Sequence, residues 1–529
     1  MRNWLFGVAA ASLIFGLAQA DKAAAFERVG DRKVVVFGGR QQIPVLDPHV
    51  RYDWSTRMMQ QAVYDALVKY EGNPAQIKPW LAERWEMSED GKTWTFHLVD
   101  NAKFHNGDPV DAEAIRYSFE RGLKLNKGVA WMLKDFLDPG SIEVVDSKTV
   151  RFNLKTPYSA FLSFLPWWYV VNPKEVKANE VEGDYGQKWL TDHAAGSGPF
   201  KLKRWEPNVL YEVEAVGDYW KGWPQGEKNR PGGVIYRIIR EPAVQKAALM
   251  RGEADIVEGL TPDDYVQIAK QKGIAIQDHP GMTTFSIKFN TQQGPTADKN
   301  LRKAIAYALD YNGLLQIYNG AAKLQTSPFP DAIRGYVNIP GIPRQDLAKA
   351  KEYLAKSQYP NGGLTLEYYH VAGLEEARRI GLLLLDNLAP LNIKVDLRPE
   401  QWPNMVAKGS KVETSPAMTS VYITPISTDP DAVAYQYHPN SYGQYFAMSF
   451  YKNDAVTAKI DEARRSSNWD ARAKLYAEIQ SQIVEDQPEV IGMMQDRRWA
   501  MRDYLKGFSF SPVRFTGEVD LYPLWIDAK

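Results

Sequence analysis

Apolar and polar positions follow two periods along this chain, one of two residues and one of three to four, and their alternation predicts an α/β architecture. Lys33 to Phe37 (KVVVF) is a short apolar run, a buried strand that Gly38-Gly39 ends. Thr56 to Tyr70 has a helical rhythm. Met87 to Asp111 reads as a hairpin followed by a helix start. Asp90-Gly91 and Asn106-Gly107 are turn dipeptides, and Thr93 to Leu98 alternates as a strand. Asp111 is a natural N-cap, with Glu113 in the first turn where the helix dipole favours an anion. The capped helix is expected from Ala112 to Leu123, and a strand pair over Ile142–Val145 and Thr149–Leu154. Phe161 to Val171 (FLSFLPWWYVV) is the most aromatic stretch. As a strand it would point Trp167 and Trp168 to opposite faces, one of them toward a cleft.

The second half continues the alternation. Val234–Ile239 and Ala254–Val257 read as strands around a helix over Ala243–Met250. Thr284 to Asn290 (TFSIKFN) alternates cleanly and suits a strand that crosses between domains. Leu301–Leu315 predicts a helix capped by Asp298 or Asn300. Leu364–Tyr369, Glu375–Leu388 and Ile393–Leu397 form a strand–helix–strand unit. Asp470–Val484 is a further helix, and Glu489–Met494 (EVIGMM) a buried strand leading back to the first domain.

A chain of 529 residues is too long for one core, so two or three domains are expected. Its 64 basic and 64 acidic residues balance, which gives no electrostatic pull toward nucleic acid or anionic membrane. Arg2, the apolar run Leu5–Leu17 and Ala18-Gln19-Ala20 predict a cleavable export signal over residues 1–20. Cysteine is absent, which removes thiol chemistry and the lipid-bearing cysteine of a lipoprotein. The expectation is a free protein in the periplasm of a Gram-negative cell.

Catalytic patterns are missing. Gly196-Ser197-Gly198 does not make a nucleophile elbow, and Asp192-His193 beside it is sequence proximity only. There is no phosphate loop or dinucleotide fingerprint, and the seven histidines show no paired metal spacing. No catalytic residue, cofactor or metal is assigned; His438 is the one weak metal candidate. An exported hydrolase or a chaperone remains the alternative of another class.

Several segments together resemble the family 5 extracellular solute-binding proteins, receptors of ABC importers. They are Leu46-Asp47-Pro48, Val63-Tyr64-Asp65-Ala66-Leu67, Pro79-Trp80-Leu81-Ala82, Ser88 to Phe96, Phe104 to Val110, Gly196-Ser197-Gly198-Pro199-Phe200, Asp218-Tyr219-Trp220, Gly252 to Ile256, Phe289-Asn290-Thr291 and Leu301 to Ile305. The resemblance implies a two-lobed periplasmic binding protein of type II, like the cluster C members, with an extra subdomain in the first lobe. The expected division places the first-lobe core at 26–60, 195–283 and 495–529, the extra subdomain at 61–194, and the second lobe with its hinge strands at 284–494. It implies a monomer that closes on a small-molecule ligand and docks on membrane permease subunits.

Peptide-binding relatives hold the ligand ammonium with an aspartate before an Asp-Pro step. Here the step is Asp429-Pro430, but Pro425 or Ile426 stands where that aspartate would fall. A buried ammonium without a counter-charge is costly. The resemblance places Trp131 and Trp167, with neighbouring Trp168, and Trp402 and Tyr422 at the cleft. With the neutral polar Gln41, Gln42 and Thr424, and with Asp429, they form the expected ligand set. The ligand is a peptide or similar small organic solute, with an oligosaccharide, opine-like molecule or nickel chelate as the alternative.

Overall fold

The computed structural model describes residues 28–29, 32–51, 54–515 and 517–527, and the expected export signal lies outside them. A mixed sheet, 12-stranded among the described residues, runs through both lobes. Its main path is Ile393–Glu400, Leu364–Val371, Met418–Ile423, Ile274–Phe289, Glu489–Arg502, Ile256–Val257, Arg32–Gly39, Gly233–Ile238, Leu210–Ala215 and Phe200–Glu206. Two long antiparallel strands, Ile274–Phe289 and Glu489–Arg502, make its middle. They contain the segments expected to cross between domains, save Asn290, and extend well beyond them. Their pairing begins with Lys288 opposite Glu489 and ends with Ile274 opposite Arg502. The buried Lys288 ammonium pairs with the Glu489 carboxylate, which Tyr437 also reaches. The register shifts between His279 and Thr283. Gly281 sits in that bulge, where a Cβ would come within 2.3 Å of the Gln495 carbonyl oxygen.

The signature hairpin forms as its pattern predicts. Ala82–Met87 and Thr93–Leu98 join Thr149–Asn153 and Ile142–Asp146 in a four-stranded antiparallel sheet. Trp94, Phe96 and Leu98 are buried, while Thr93, Thr95 and His97 are half-buried. The helix Ala112–Leu125 packs against this sheet, and the Asp111 carboxylate accepts from the Ala114 N–H at 2.9 Å.

Markers far apart in sequence converge on one carboxylate. Asp65 Oδ1 accepts from Trp80 Nε1 at 2.7 Å and from the Tyr219 hydroxyl at 2.8 Å. Its Oδ2 accepts from Trp220 Nε1 at 2.9 Å and the Ser197 hydroxyl at 3.0 Å. Asp47, from the Leu-Asp-Pro turn, likewise receives both terminal nitrogens of buried Arg121, at 2.9 and 2.6 Å. These markers are therefore framework.

Three expectations fail locally. The helix expected over Thr56–Tyr70 is Trp54–Val63, and Val68–Glu71 is a strand paired with Gln76–Pro79. Gly198 N–H donates to the Val63 carbonyl, Leu81 to that of Ala66 and Val170 to that of Asp65, so helical bonding cannot continue there. The helix expected over Leu301–Leu315 splits into Lys299–Ala308 and Tyr311–Ile317, because the Asp310 carboxylate caps the second piece through the Asn312 and Gly313 N–H groups. The aromatic Phe161–Val171 run is not a strand. Phe161–Phe164 is a helical turn, Leu165–Trp167 a 3-10 turn, and both tryptophans are fully buried.

Candidate functional site

The lobes meet along a seam in which side chains of the extra subdomain reach the chain that lies between the two long strands. The Trp131 and Tyr435 rings stack with centroids 5.9 Å apart and planes 7° from parallel. Phe446 flanks Trp131 at 5.5 Å. Trp167 Nε1 donates to the Ile426 carbonyl at 2.8 Å. The Tyr158 hydroxyl donates to Asp431 at 2.8 Å, and Arg464 Nε lies 3.1 Å from the same carboxylate. One continuous apolar cluster joins Trp94, Phe119, Phe161, Trp167 and Trp168 to Ile423, Ile426, Tyr435 and Phe446. At another point Asp263 holds Asn319 at 2.6 Å and Arg379 at 3.2 Å.

The expected ligand set divides around this seam. Trp131 lies in it, and so does Trp167, whose indole also carries the Arg57 guanidinium 3.6 Å above its ring. Trp168 turns into the subdomain core and stacks on Phe119 at 4.8 Å. It does not face a cleft, because helix Ala112–Leu125 covers it: a Cβ at Gly122 would lie 2.5 Å from its ring. Trp402 opens the short helix Trp402–Lys408, is partly exposed and meets Tyr445 edge-on at 5.5 Å. Tyr422 shares a 2.7 Å hydrogen bond with Tyr318. The Thr424 hydroxyl lies 2.9 Å from that of Thr283 and 3.2 Å from the Arg497 guanidinium. Gln41 offers its carbonyl to Tyr236 at 3.1 Å, and Gln42 is exposed.

Two candidates have other occupations. Both Asp429 oxygens accept from Arg472, at 2.7 and 2.9 Å, so its charge is already matched. Burial pushes its carboxyl up and Arg472 draws it back. His438 Nδ1 accepts from the Asn440 N–H at 3.0 Å and its Nε2 lies 3.4 Å from Asp461. No group of three metal-ligating side chains stands together among the described residues. Ser197 gives its hydrogen to Asp65, and His193 bonds its neighbour Asp192 at 2.6 Å.

Sequence reasoning missed the charged side chains at the seam. Arg57 comes from the helix Trp54–Val63, Arg497 from the second long strand, and Glu518 from the C-terminal segment. All are buried. The Arg57 terminal nitrogen donates to the Pro166 carbonyl at 3.0 Å, and its Nε is 3.5 Å from Glu518. Arg497 donates to the Arg514 carbonyl at 2.6 Å, and burial lowers its guanidinium to about 9. Their only sequence signal was charge within otherwise apolar elements, which no local pattern assigns to a site.

Comparison with known proteins fits this architecture. The family described as bacterial extracellular solute-binding proteins, family 5 (middle), matches residues 76–444. The "Probable D,D-dipeptide-binding periplasmic protein DdpA" of Escherichia coli K12 is 29% identical over 490 residues, covering 91% of this chain and 92% of that protein. The Helicobacter pylori periplasmic binding protein DppA, solved with the peptide STSA, superposes with a TM-score of 0.83 at 25% identity, over 94% of this chain and 98% of that one. The binding protein AgaA of A. tumefaciens R10, solved with agropinic acid, gives a TM-score of 0.81 at 25% identity over 94% and 99% of the two chains. A match spanning most of the chain, on a two-lobed type II frame, establishes that this protein belongs to the family 5 bacterial extracellular solute-binding proteins, the substrate-binding components of ABC importers.

Proposed function

We propose that this protein captures one small organic solute, a peptide or a molecule of similar size and polarity, between its lobes in the periplasm and presents the closed form to its permease. The observation that carries the reading is the seam itself. Side chains from three separate regions meet across it, and the two long strands are the covalent links that persist when it opens. Ligand binding then does its work by shifting an open–closed equilibrium and needs no bond chemistry. Relatives of this chain are named for D,D-dipeptides, and similar structures hold the peptide STSA or agropinic acid, which supports a polar organic ligand of this size. Trp131, Trp402, Tyr422, Thr424, Gln41 and Gln42 are the side chains this reading assigns to the ligand. Trp167 is assigned to the seam.

Thermal shift tests the reading, because a solute that binds only the folded state raises the melting temperature. One class among peptides, N-acylated peptides, opines, oligosaccharides and nickel–histidine is expected to stabilise the protein, and small-angle scattering should show compaction with the same class. Turnover of an ester or peptide substrate, with no stabilising class, would sink it.

A further inference from the structure

We propose that the solute carries a carboxylate that seats against Arg497 and Arg57, and that it enters this end of the site as a net anion without a free ammonium. The proposal rests on the receptor reading above and narrows it.

Charge is the first argument. Arg57, Arg497, Arg514 and Lys69 lie close together at the seam with two carboxylates, Glu518 and Asp520. Asp520 is committed to Arg514 at 3.0 Å and Lys69 at 2.8 Å. That leaves Glu518 to serve both Arg57 and Arg497. The next carboxylate, Glu258, accepts from the Arg40 backbone N–H at 2.7 Å, and Arg40 brings its own cation. Among the described residues the cluster therefore holds more buried positive than negative charge, an unfavourable arrangement unless an anion joins it.

Unused hydrogen-bonding atoms are the second, independent argument. Arg497 is 2% exposed, yet its Nε has no hydrogen-bond partner among the described residues. Arg57 Nε likewise forms no hydrogen bond among the described residues, and is ion-paired with Glu518 Oε1 at 3.5 Å. Two buried guanidiniums with spare N–H groups offer the donors that a carboxylate accepts. Glu518 Oε1, ion-paired with Arg57, also accepts no hydrogen bond among the described residues, so a neutral N–H or O–H beside the carboxylate completes the set. An N-acylated amino acid or peptide offers both groups.

Position is the third argument. Arg497 follows the bulge at Gly281, in the strand that links the lobes, and it touches Thr424 of the segment before Asp429. The hydroxyls of Thr283, in the first long strand, and of Thr424, in the second lobe, meet here. Its nearby carboxylates are taken, Asp429 by Arg472 and Asp431 by Arg464 and Tyr158. Among the described residues a free ammonium would meet two arginines and, as its acid, only Glu518, whose charge those arginines already claim. The outer end of the cluster, Lys69 and Asp520, lines a cavity of about 550 Å³, so a polar solute has solvent-connected space beside it.

The test uses the mature full-length protein and equimolar dipeptide libraries in three forms: N-acetylated acids, N-acetylated amides, and free-amino amides. The acid library is expected to raise the melting temperature, and the two amide libraries are expected to leave it unchanged. Arg497→Met should abolish the acid-library shift while its ligand-free melting temperature stays at or above that of the parent, as removal of an unmatched buried charge predicts. For the acid that emerges from the library, Arg497→Met should weaken binding at least ~30-fold, the loss typical of a buried charged hydrogen-bond partner. A shift with the cationic free-amino amides, or an acid shift retained in both Arg497→Met and Arg57→Met, overturns the proposal. So does a missing acid-library shift. In that case stabilisation by oligosaccharides or nickel–histidine leaves the receptor reading standing, and its absence with every class removes that reading too. Where Arg497→Met fails to fold, Arg57→Met, on a first-lobe helix, carries the same comparison.

Discussion

Asp65 and His49 show how single residues hold the first lobe. Asp65 takes four hydrogen bonds from side chains up to 155 positions away in sequence. In Asp65→Asn the new amide N–H groups would face one indole N–H donor and one hydroxyl, and the charge that strengthens these bonds is lost. Hydrogen bonds to a charged group contribute ~1.5–3 kcal/mol each, so a loss of about 3 kcal/mol in urea unfolding is expected. His49 is fixed as a neutral ring. Its Nε2–H donates to the Tyr169 carbonyl at 2.9 Å and its Nδ1 accepts from Arg121 at 2.9 Å. Burial, and then Arg121, lower its pKa to about 4. The unfolded chain, with its histidine near 6.5, therefore binds a proton that the folded chain refuses between pH 6.5 and 4. Stability must fall as pH drops through that window, by up to ~3 kcal/mol at ~1.4 kcal/mol per pH unit. His49→Gln, which keeps one donor and one acceptor, should flatten that part of the stability–pH curve; an unchanged slope would rule the assignment out.

At the scale of elements, legibility followed locality. The Thr93–Leu98 strand and the Asp111 cap depend on side chains a few residues apart, and their pattern was sufficient. The helix expected through Tyr70 failed because Gly198, Leu81 and Val170 draw the backbone of 63–66 into contacts no local period encodes. Trp167 and Trp168 failed for a related reason: an apolar pair has the same signature in a buried turn as in a strand. Of the candidate site, Trp131, Trp402 and Tyr422 were named from the resemblance, and they lie against Tyr435, Tyr445 and Tyr318 respectively. Arg57, Arg497 and Glu518 were not legible, since their meaning comes from three strangers in sequence sharing one buried space. The long strands carry an element-scale prediction. Gly281→Ala sets a Cβ against the Gln495 carbonyl oxygen and the Arg497 side chain, so the bulge must widen. A cost of about 2 kcal/mol is expected from such overpacking, measured by denaturant unfolding.

For the whole molecule, the question is how much of the closed form its own contacts provide before any solute arrives. The two ends of the seam differ in kind. Asp263, Arg379 and Asn319 meet near the surface, where an ion pair contributes ~0–1 kcal/mol and salt screens it. Tyr158, Asp431 and Arg464 are buried, and the tyrosine hydroxyl reaches a charged acceptor. Tyr158→Phe removes that one cross-lobe bond and leaves Asp431 paired with Arg464. It should weaken closure by about 1.5 kcal/mol, close to tenfold in the open–closed equilibrium. When the binding-competent form is a minor fraction, apparent affinity falls in proportion to that fraction, so the solute should bind up to ~10-fold more weakly although Tyr158 is not assigned to it. Asp263→Asn should change affinity less than ~3-fold, and high salt should erase the difference. Scattering of the ligand-free proteins provides the structural readout. Tyr158→Phe should have a larger radius of gyration than the parent, and saturating solute should return both to one compact value. If the two ligand-free proteins scatter alike and bind alike, the buried end of the seam does not set the resting state, and closure energy must come from the solute itself.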